Sequence, residues 1–194
     1  MRIVVIGASG TIGGAVADAL AQRHEVVRAS RGGDVRVDVA DVASVEALFE
    51  GIGPVDAVVC AAANGAMAPL EGSADEEYWR GLDAKLVGQV NLVRRALPWV
   101  RDGGSVTLTA GRIPEGMRDM TLAHLVNGGL AAFVHGAAAE MPRGVRLNVV
   151  SPGWVSETLA ALGMDPAGGT PAAEVARAYA EAVEGTAHGR TLEP

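Results

Sequence analysis

The 194-residue sequence predicts one α/β domain built on a parallel sheet covered by helices on both faces. Three observations carry that prediction. Short, wholly apolar runs alternate with longer amphipathic ones along the whole chain, the pattern of strands buried on both faces and joined by crossover helices. A glycine-rich turn links the first apolar run to the first amphipathic one. The two long irregular stretches, 111–121 and 156–170, follow apolar runs, which puts them above strand C-termini, where ligands of such sheets bind.

The strands are expected at 2–6, 25–29, 35–37, 55–60, 104–109, 145–150 and 190–192. The helices are expected at 12–22, 42–50, 74–98, 122–140 and 171–184. Sheet order 3-2-1-4-5-6-7 follows from the doubly wound pattern. Ser73 and Glu76 have capping-box spacing. Thr170-Pro171 reads as an N-cap followed by a proline in the first helical position. No repeat and no linker interrupts residues 1–194.

Composition narrows the function. Hydrophobic residues make up 49% of the chain, enough for a full core. The net charge of −7 and pI near 5.1 argue against nucleic acid and anionic membranes as partners. No apolar run is read as a transmembrane span. The first residues already form a strand, so no signal peptide is expected, and the location expected is the cytoplasm. The single cysteine, Cys60, has no internal partner and ends an apolar strand. It reads as a small core residue in a reducing compartment.

The opening turn, Ile6-Gly7-Ala8-Ser9-Gly10-Thr11-Ile12-Gly13, carries the binding signal. Gly7 allows a sharp turn at the strand end. Gly10 and Gly13 leave room for a pyrophosphate and for close strand–helix approach. The free amides of the helix start then face the phosphates. Strand before and helix after make this a dinucleotide-binding pattern. The second strand ends in Ser30-Arg31, where an acidic residue would hold a ribose 2′-hydroxyl. A hydroxyl and a guanidinium suit a 2′-phosphate, so NADP(H) is expected over NAD(H).

Taken together, these motifs resemble the short-chain dehydrogenase/reductase family over the whole chain, and the resemblance implies a Rossmann-type fold. Ile6, Gly7, Thr11 and Gly13 match its glycine motif. Asp38-Val39 looks like its adenine-holding Asp-Val pair. Ala61-Ala62-Ala63 stands where the family has Asn-Asn-Ala-Gly. Asn148 to Gly153 is similar to its nicotinamide-flanking segment, which extends the expected cofactor contacts to Pro152, Gly153, Trp154 and Val155. The family's catalytic Asn, Ser, Tyr and Lys are replaced. Aligned on Asn148, Pro152 and Gly153, the Tyr and Lys positions fall on Ala123 and Asn127, the Ser position on Ala110, and the Asn position on Lys85.

The candidate catalytic set is therefore Lys85, Thr109 and Asn127. Lys85 sits at the edge of the stripe Leu82, Leu86, Val90, Val93, Leu97, with Gln89 inside it. Two readings of Lys85 stand side by side: a buried amine with a lowered pKa that meets a ligand, or a lysine snorkelling at a helix contact. Asn127 faces the cofactor ribose or serves as a structural amide. Thr109 offers a hydroxyl beside the lost serine, although it points to the other side of its strand. Arg112, Arg118 and Asp119 lie on the loop above the cleft, where charged side chains are ordinarily solvated. No metal site is expected. The partners expected are a small-molecule substrate, a small carbonyl or enone, and a second copy of the chain. The dimer is inferred from the small-residue row Gly128, Ala132, Gly136, Ala139, which in the family lies on a dimer helix. Three functions fit this set: a reductase with a rebuilt proton relay, an NADP(H)-binding sensor or scaffold without turnover, and a non-redox isomerase, cyclase or lyase reusing the cleft.

Overall fold

Seven parallel strands lie in the order β3-β2-β1-β4-β5-β6-β7 in the computed structural model, which describes residues 1–62, 69–76, 79 and 82–194. The strands are β1 (Arg2–Ile6), β2 (Glu25–Ser30), β3 (Val35–Arg36), β4 (Val55–Cys60), β5 (Val100–Thr109), β6 (Arg146–Val150) and β7 (Arg190–Leu192). The predicted order is met, and the chain forms a Rossmann-type α/β domain. It reverses direction across the sheet between β1 and β4, which pair directly.

Strand alternation divides the core in two. One layer joins Val4, Ile6, Val58, Cys60, Val106 and Leu108 to α2 (Val42–Ile52), α3 (Gly88–Ala96) and α4 (Thr121–Ala137). The other joins Ile3, Val5, Ala57 and Val59 to α1 (Thr11–Ala21) and α6 (Ala172–Glu184). The central strands β1, β4 and β6 thus bury both faces, which is why their sequences are mostly apolar.

Several expectations are corrected. The helix expected over 74–98 has a π-helical turn at Leu82–Val87 before α3 begins; residues 77, 78, 80 and 81 lie outside the described residues. The Ser73 hydroxyl donates to the carbonyl of Pro69 at 3.0 Å. The stretch 156–170 holds a short helix, α5 (Ser156–Ala161), and a 3₁₀ turn at Pro166–Gly168. Pro171 is the cap residue of α6 rather than its first helical residue. The first amide of α6, that of Ala172, donates to the Glu157 carboxylate at 2.9 Å, so α5 caps α6 through space. The Thr121–Glu140 segment, α4 with its terminal 3₁₀ turn, does meet the length and composition of a membrane span. In this fold its Leu122, Val126, Leu130 and Val134 are buried in the core.

At the other end of α6, the Arg146 guanidinium donates to the carbonyls of Ala182 (2.7 Å) and Val183 (2.7 Å). These are orphan acceptors of a helix C-terminus, and a cation there also meets the negative end of the helix dipole. Arg146 thereby fixes α6 to β6, and α6 in turn holds Tyr179 behind the C-terminal end of β5.

Candidate active site

The glycine turn is a place where backbones touch. A Cβ on Gly13 would lie 2.1 Å from the Gly7 carbonyl oxygen. Gly7 has φ +85°, and a Cβ there would lie 2.6 Å from the amide nitrogen of Ala62. No side chain fits at either position. Glycine here lets α1 start directly against the ends of β1 and β4. The amides of Thr11 and Ile12, in the first turn of α1, have no backbone acceptor among the described residues, as expected for a helix start open to an anion.

A crevice of about 600 Å³ opens at this point, lined by Gly7, Ser9, Gly10, Thr11, Ile12, Ser30, Arg31, Val37, Asp38, Val39, Ala61, Ala62 and Thr158 among others. The structure thus brings together most of the residues assigned to cofactor binding from sequence. Ala63 lies outside the described residues. Gly13 is buried behind the turn. Pro152, Gly153, Trp154 and Val155 are not in the crevice wall; they follow β6, and Val155 pairs with Thr170 in an isolated bridge. Thr158 is an addition that sequence reasoning missed, because α5 was read as loop.

Ser30 and Arg31 differ in what they present. Ser30 is buried, and a Cβ on Gly33 would lie 2.8 Å from its hydroxyl oxygen, so the hydroxyl is tucked beneath the following turn. Arg31 is exposed. Among the described residues its guanidinium makes no ion pair or hydrogen bond. Asp38 is exposed, and its carboxylate accepts from the Ala40 amide at 3.0 Å.

The second half of the site is built at the end of β5. Cys60 is the last residue of neighbouring β4, so Thr109 lacks a strand partner on that side. Gln89 takes the strand's place. Its Oε1 accepts from the Thr109 amide at 2.9 Å, and its Nε2 donates to the Thr109 carbonyl at 3.0 Å. The same Nε2 donates to the Lys85 carbonyl at 3.0 Å. Gln89 is fully buried. One side-chain amide thus ties the strand end to the π-turn that carries Lys85.

Lys85 Nζ donates to the Ala110 carbonyl at 3.2 Å. Among the described residues it has no carboxylate partner. Burial pushes its pKa down to about 8, a little offset by Cys60. Lys85 is also the chain's only lysine; the other fifteen basic side chains of the Lys and Arg count are arginines. Asn127 comes to the same turn from α4: a Cβ on Gly111 would lie 3.3 Å from its Nδ2. Its Oδ1 is buried without a hydrogen-bond partner among the described residues. An amine and an unpaired amide oxygen therefore flank the Ala110–Gly111 turn, at the place where the aligned serine would be.

Thr109 does not join them. Its hydroxyl lies on the opposite face of β5, 2.6 Å from the Cys60 carbonyl and 2.6 Å from the Tyr179 hydroxyl. It is buried and spent on structure, so it is removed from the catalytic set. Strand alternation is the reason: Ala110 lies on the face of β5 that packs with α4, and Thr109 faces α6. Tyr179 is fully buried in the α6 layer, and burial raises its pKa. It is no replacement acid. Tyr78 lies outside the described residues. Burial also pushes the Cys60 thiol up to about 12, which keeps it an inert core residue.

Residues 3–184 match the family model described as Enoyl-(Acyl carrier protein) reductase. The chain belongs to this short-chain dehydrogenase/reductase family. Within that family it is similar to the protein lin1944 from Listeria innocua, at 38% identity and a TM-score of 0.94, over 100% of this chain and 98% of that one. An uncharacterized oxidoreductase of Methylorubrum extorquens is 28% identical over 178 residues, covering 78% of this chain and 72% of its own length. A crystal structure of a small-chain dehydrogenase in complex with NADPH shares the fold at 22% identity, with a TM-score of 0.87 over 100% of this chain and 96% of that one. The last two are described as an oxidoreductase and a dehydrogenase.

The Gln89 clamp has a measurable consequence. Gln89→Leu leaves the Thr109 amide and carbonyl buried and unpaired. The expected loss is about 2–6 kcal/mol, from one to three for each of the two stranded groups. Urea unfolding checks it; an unchanged midpoint would show that Thr109 finds other partners.

Proposed function

We propose that the chain is an NADPH-dependent reductase of small carbonyl compounds or enones in which Lys85 supplies the proton. The observation that carries this reading is the lone lysine, partly buried and donating to the Ala110 carbonyl, beside positions where the aligned tyrosine and serine are both missing. The crevice fits a dinucleotide. Gly7 and Gly13 leave no room for side chains where the first turn of α1 meets the strand ends, and the crevice runs past Ser30 and Arg31 to Asp38 and Val39. Ser9, Gly10, Thr11 and Ile12 would hold the pyrophosphate, Arg31 the 2′-phosphate, and Asp38-Val39 the adenine. Pro152 to Val155 would flank the nicotinamide. The NADPH complex of the related fold supports the same cofactor.

When bound, NADPH supplies a hydride to the electrophilic carbon of the substrate. The chain's own residues do the rest. The Lys85 ammonium donates a hydrogen bond to the substrate oxygen and passes it a proton from Nζ. The amine then takes a proton back from solvent. The Asn127 Oδ1 accepts from a hydroxyl, which satisfies a buried oxygen that otherwise lacks a partner. Gln89 holds the Lys85 turn and the β5 end in register. Burial brings the lysine pKa close to working pH, where a general acid is most effective. A buried ammonium costs free energy unless it meets a partner, and the substrate oxygen is that partner. If NADPH binds and no carbonyl compound oxidises it, the sensor reading takes over.

A homodimer accompanies this reading. The face of α4 that carries Gly128, Ala132 and Gly136 is exposed, and Cβ atoms at Gly128 and Gly136 would meet nothing within 4 Å. Leu125 and Val87 are exposed apolar residues on α4 and the adjoining π-turn. The cytoplasm, with its reduced thiols, suits both NADPH and the free Cys60.

Arg31→Ala weakens NADPH by about 1.5–3 kcal/mol, the worth of a charge-assisted bond, and leaves NADH affinity unchanged in a fluorescence titration; equal wild-type affinity for the two cofactors would remove the 2′-phosphate assignment. Turnover falls as pH rises above about 8, because the donor must be the ammonium and Lys85 loses its proton there. Lys85→Met abolishes that limb and lowers turnover by about 10²–10⁴-fold, with NADPH affinity kept within a few-fold; full activity in this variant would take Lys85 out of the mechanism. Sedimentation of the purified protein should give twice the 19.8 kDa chain mass, and Gly128→Glu should return it to the monomer; a wild-type monomer at micromolar concentration would reject the dimer.

A further inference from the structure

Arg112 stands two residues beyond Ala110, the residue whose carbonyl receives Lys85 Nζ, and it is held against the segment after β6 and against residues 193 and 194. Its backbone amide donates to the Pro152 carbonyl at 2.7 Å, which ties it to the segment after β6. Its guanidinium lies across Gly153: a Cβ there would come within 3.6 Å of Nη2 and 3.9 Å of Nε. Its Nη1 donates to the Glu193 carboxylate at 3.0 Å, with both side chains about half exposed. Nη2 reaches the Pro194 carbonyl only at 3.5 Å.

This geometry differs from that of a solvated loop arginine. The backbone is anchored to the segment that would flank the nicotinamide, and the guanidinium is held against Gly153 of that segment. The Glu193 pair is exposed and worth about 0–1 kcal/mol, so another carboxylate can displace it at little cost. A guanidinium has five N–H donors in a planar fork. Glu193 uses one of them closely, and the fork matches a carboxylate in two-point geometry. Lys85, which donates to the carbonyl of Ala110 two residues away, is a second cation, and it has no carboxylate partner among the described residues. In a chain of net charge −7, two cationic side chains thus converge on the 110–112 segment, an arrangement that favours an anion.

We propose that Arg112 is the specificity residue of this site: it binds the carboxylate of a small oxo acid or unsaturated oxo acid, and Glu193 occupies the fork until that substrate arrives. The inference rests on the reductase reading for its carbonyl and on the Arg112 geometry for its carboxylate. The substrate class is thereby narrowed from small carbonyl compounds to those carrying a carboxylate within reach of Arg112.

The test uses binding as well as turnover. Oxamate, an unreactive oxo-acid mimic, and its uncharged counterpart oxamide are titrated calorimetrically into the NADP⁺-loaded protein. Oxamate is expected to bind and oxamide not. Arg112→Gln should weaken oxamate by about tenfold or more, the worth of a charge-assisted pair. Arg112→Lys should recover only part of the affinity, since the charge is kept and the fork is lost. Glu193→Gln should tighten oxamate, because the competing carboxylate is gone. In NADPH oxidation assays, Arg112→Gln should raise KM for oxo acids and leave KM for neutral ketones within about twofold. Equal binding of oxamate and oxamide, or unchanged oxamate affinity in Arg112→Gln, would overturn the proposal. Inorganic phosphate displacing oxamate with equal affinity would overturn its carboxylate specificity. Arg112-dependent oxamate binding without NADPH oxidation by any oxo acid would uphold the anion site and reject the reductase reading alone.

Discussion

The contact between the glycine turn and the end of β4 decides where everything else can go. The Gly7 Cα faces the Ala62 backbone, and Gly13 faces the Gly7 carbonyl, at separations that exclude even a methyl group. Because the backbones meet there, α1 begins at the strand ends and its first amides open onto the crevice. β1 and β4 pair directly at this point, so the sheet's change of direction leaves a gap above them. That gap is the crevice. The apolar layers above and below the sheet supply most of the stability, yet neither layer sets the position of the opening. The glycine contact does.

The end of β5 is organised by a different constraint. β4 stops at Cys60, and the Thr109 backbone needs partners that no strand supplies. A buried, unpaired amide and carbonyl would be costly, and Gln89 satisfies both. Its remaining hydrogen bond reaches the carbonyl of Lys85, so a stabilising contact also positions a functional one. Strand alternation then separates two hydroxyl-site neighbours by role. Thr109 turns toward Tyr179 and α6; Ala110 takes the opposite face of β5, its small side chain in the space of the aligned serine. Lys85 and Asn127 approach that space from two helices and place an amine and an unpaired amide oxygen around it.

Much of the architecture was legible in the sequence because local signals were strong. Mostly apolar strands, the Gly7-to-Gly13 turn and regular alternation lead to one topology. The Ser30-Arg31 strand end and the Asp38-Val39 pair could be placed on the crevice for the same reason: each follows a strand by a short, fixed distance. What depended on long-range contacts was not legible. Gln89 reads as an odd polar residue in an apolar stripe until Thr109, twenty positions away in sequence, is seen to need it. Glu157 reads as a loop residue until it caps α6. Thr158 enters the crevice only because residues 156–161 form a helix too short to show periodicity. Thr109 attracted a catalytic assignment by adjacency to position 110, and in a strand adjacency means opposite faces.

The reading of the site turns on the state of one amine, and the sequence makes that amine unusually accessible to measurement. With a single lysine in the chain, protein labelled with ¹³C,¹⁵N-lysine gives one side-chain signal. Following that signal against pH titrates Lys85 without assignment and without a substrate. The account predicts a midpoint near 8 and a shift of the resonance when NADPH is added. A midpoint at the ordinary lysine value of about 10.4, unmoved by NADPH, would show a solvated amine outside the cleft and contradict the account.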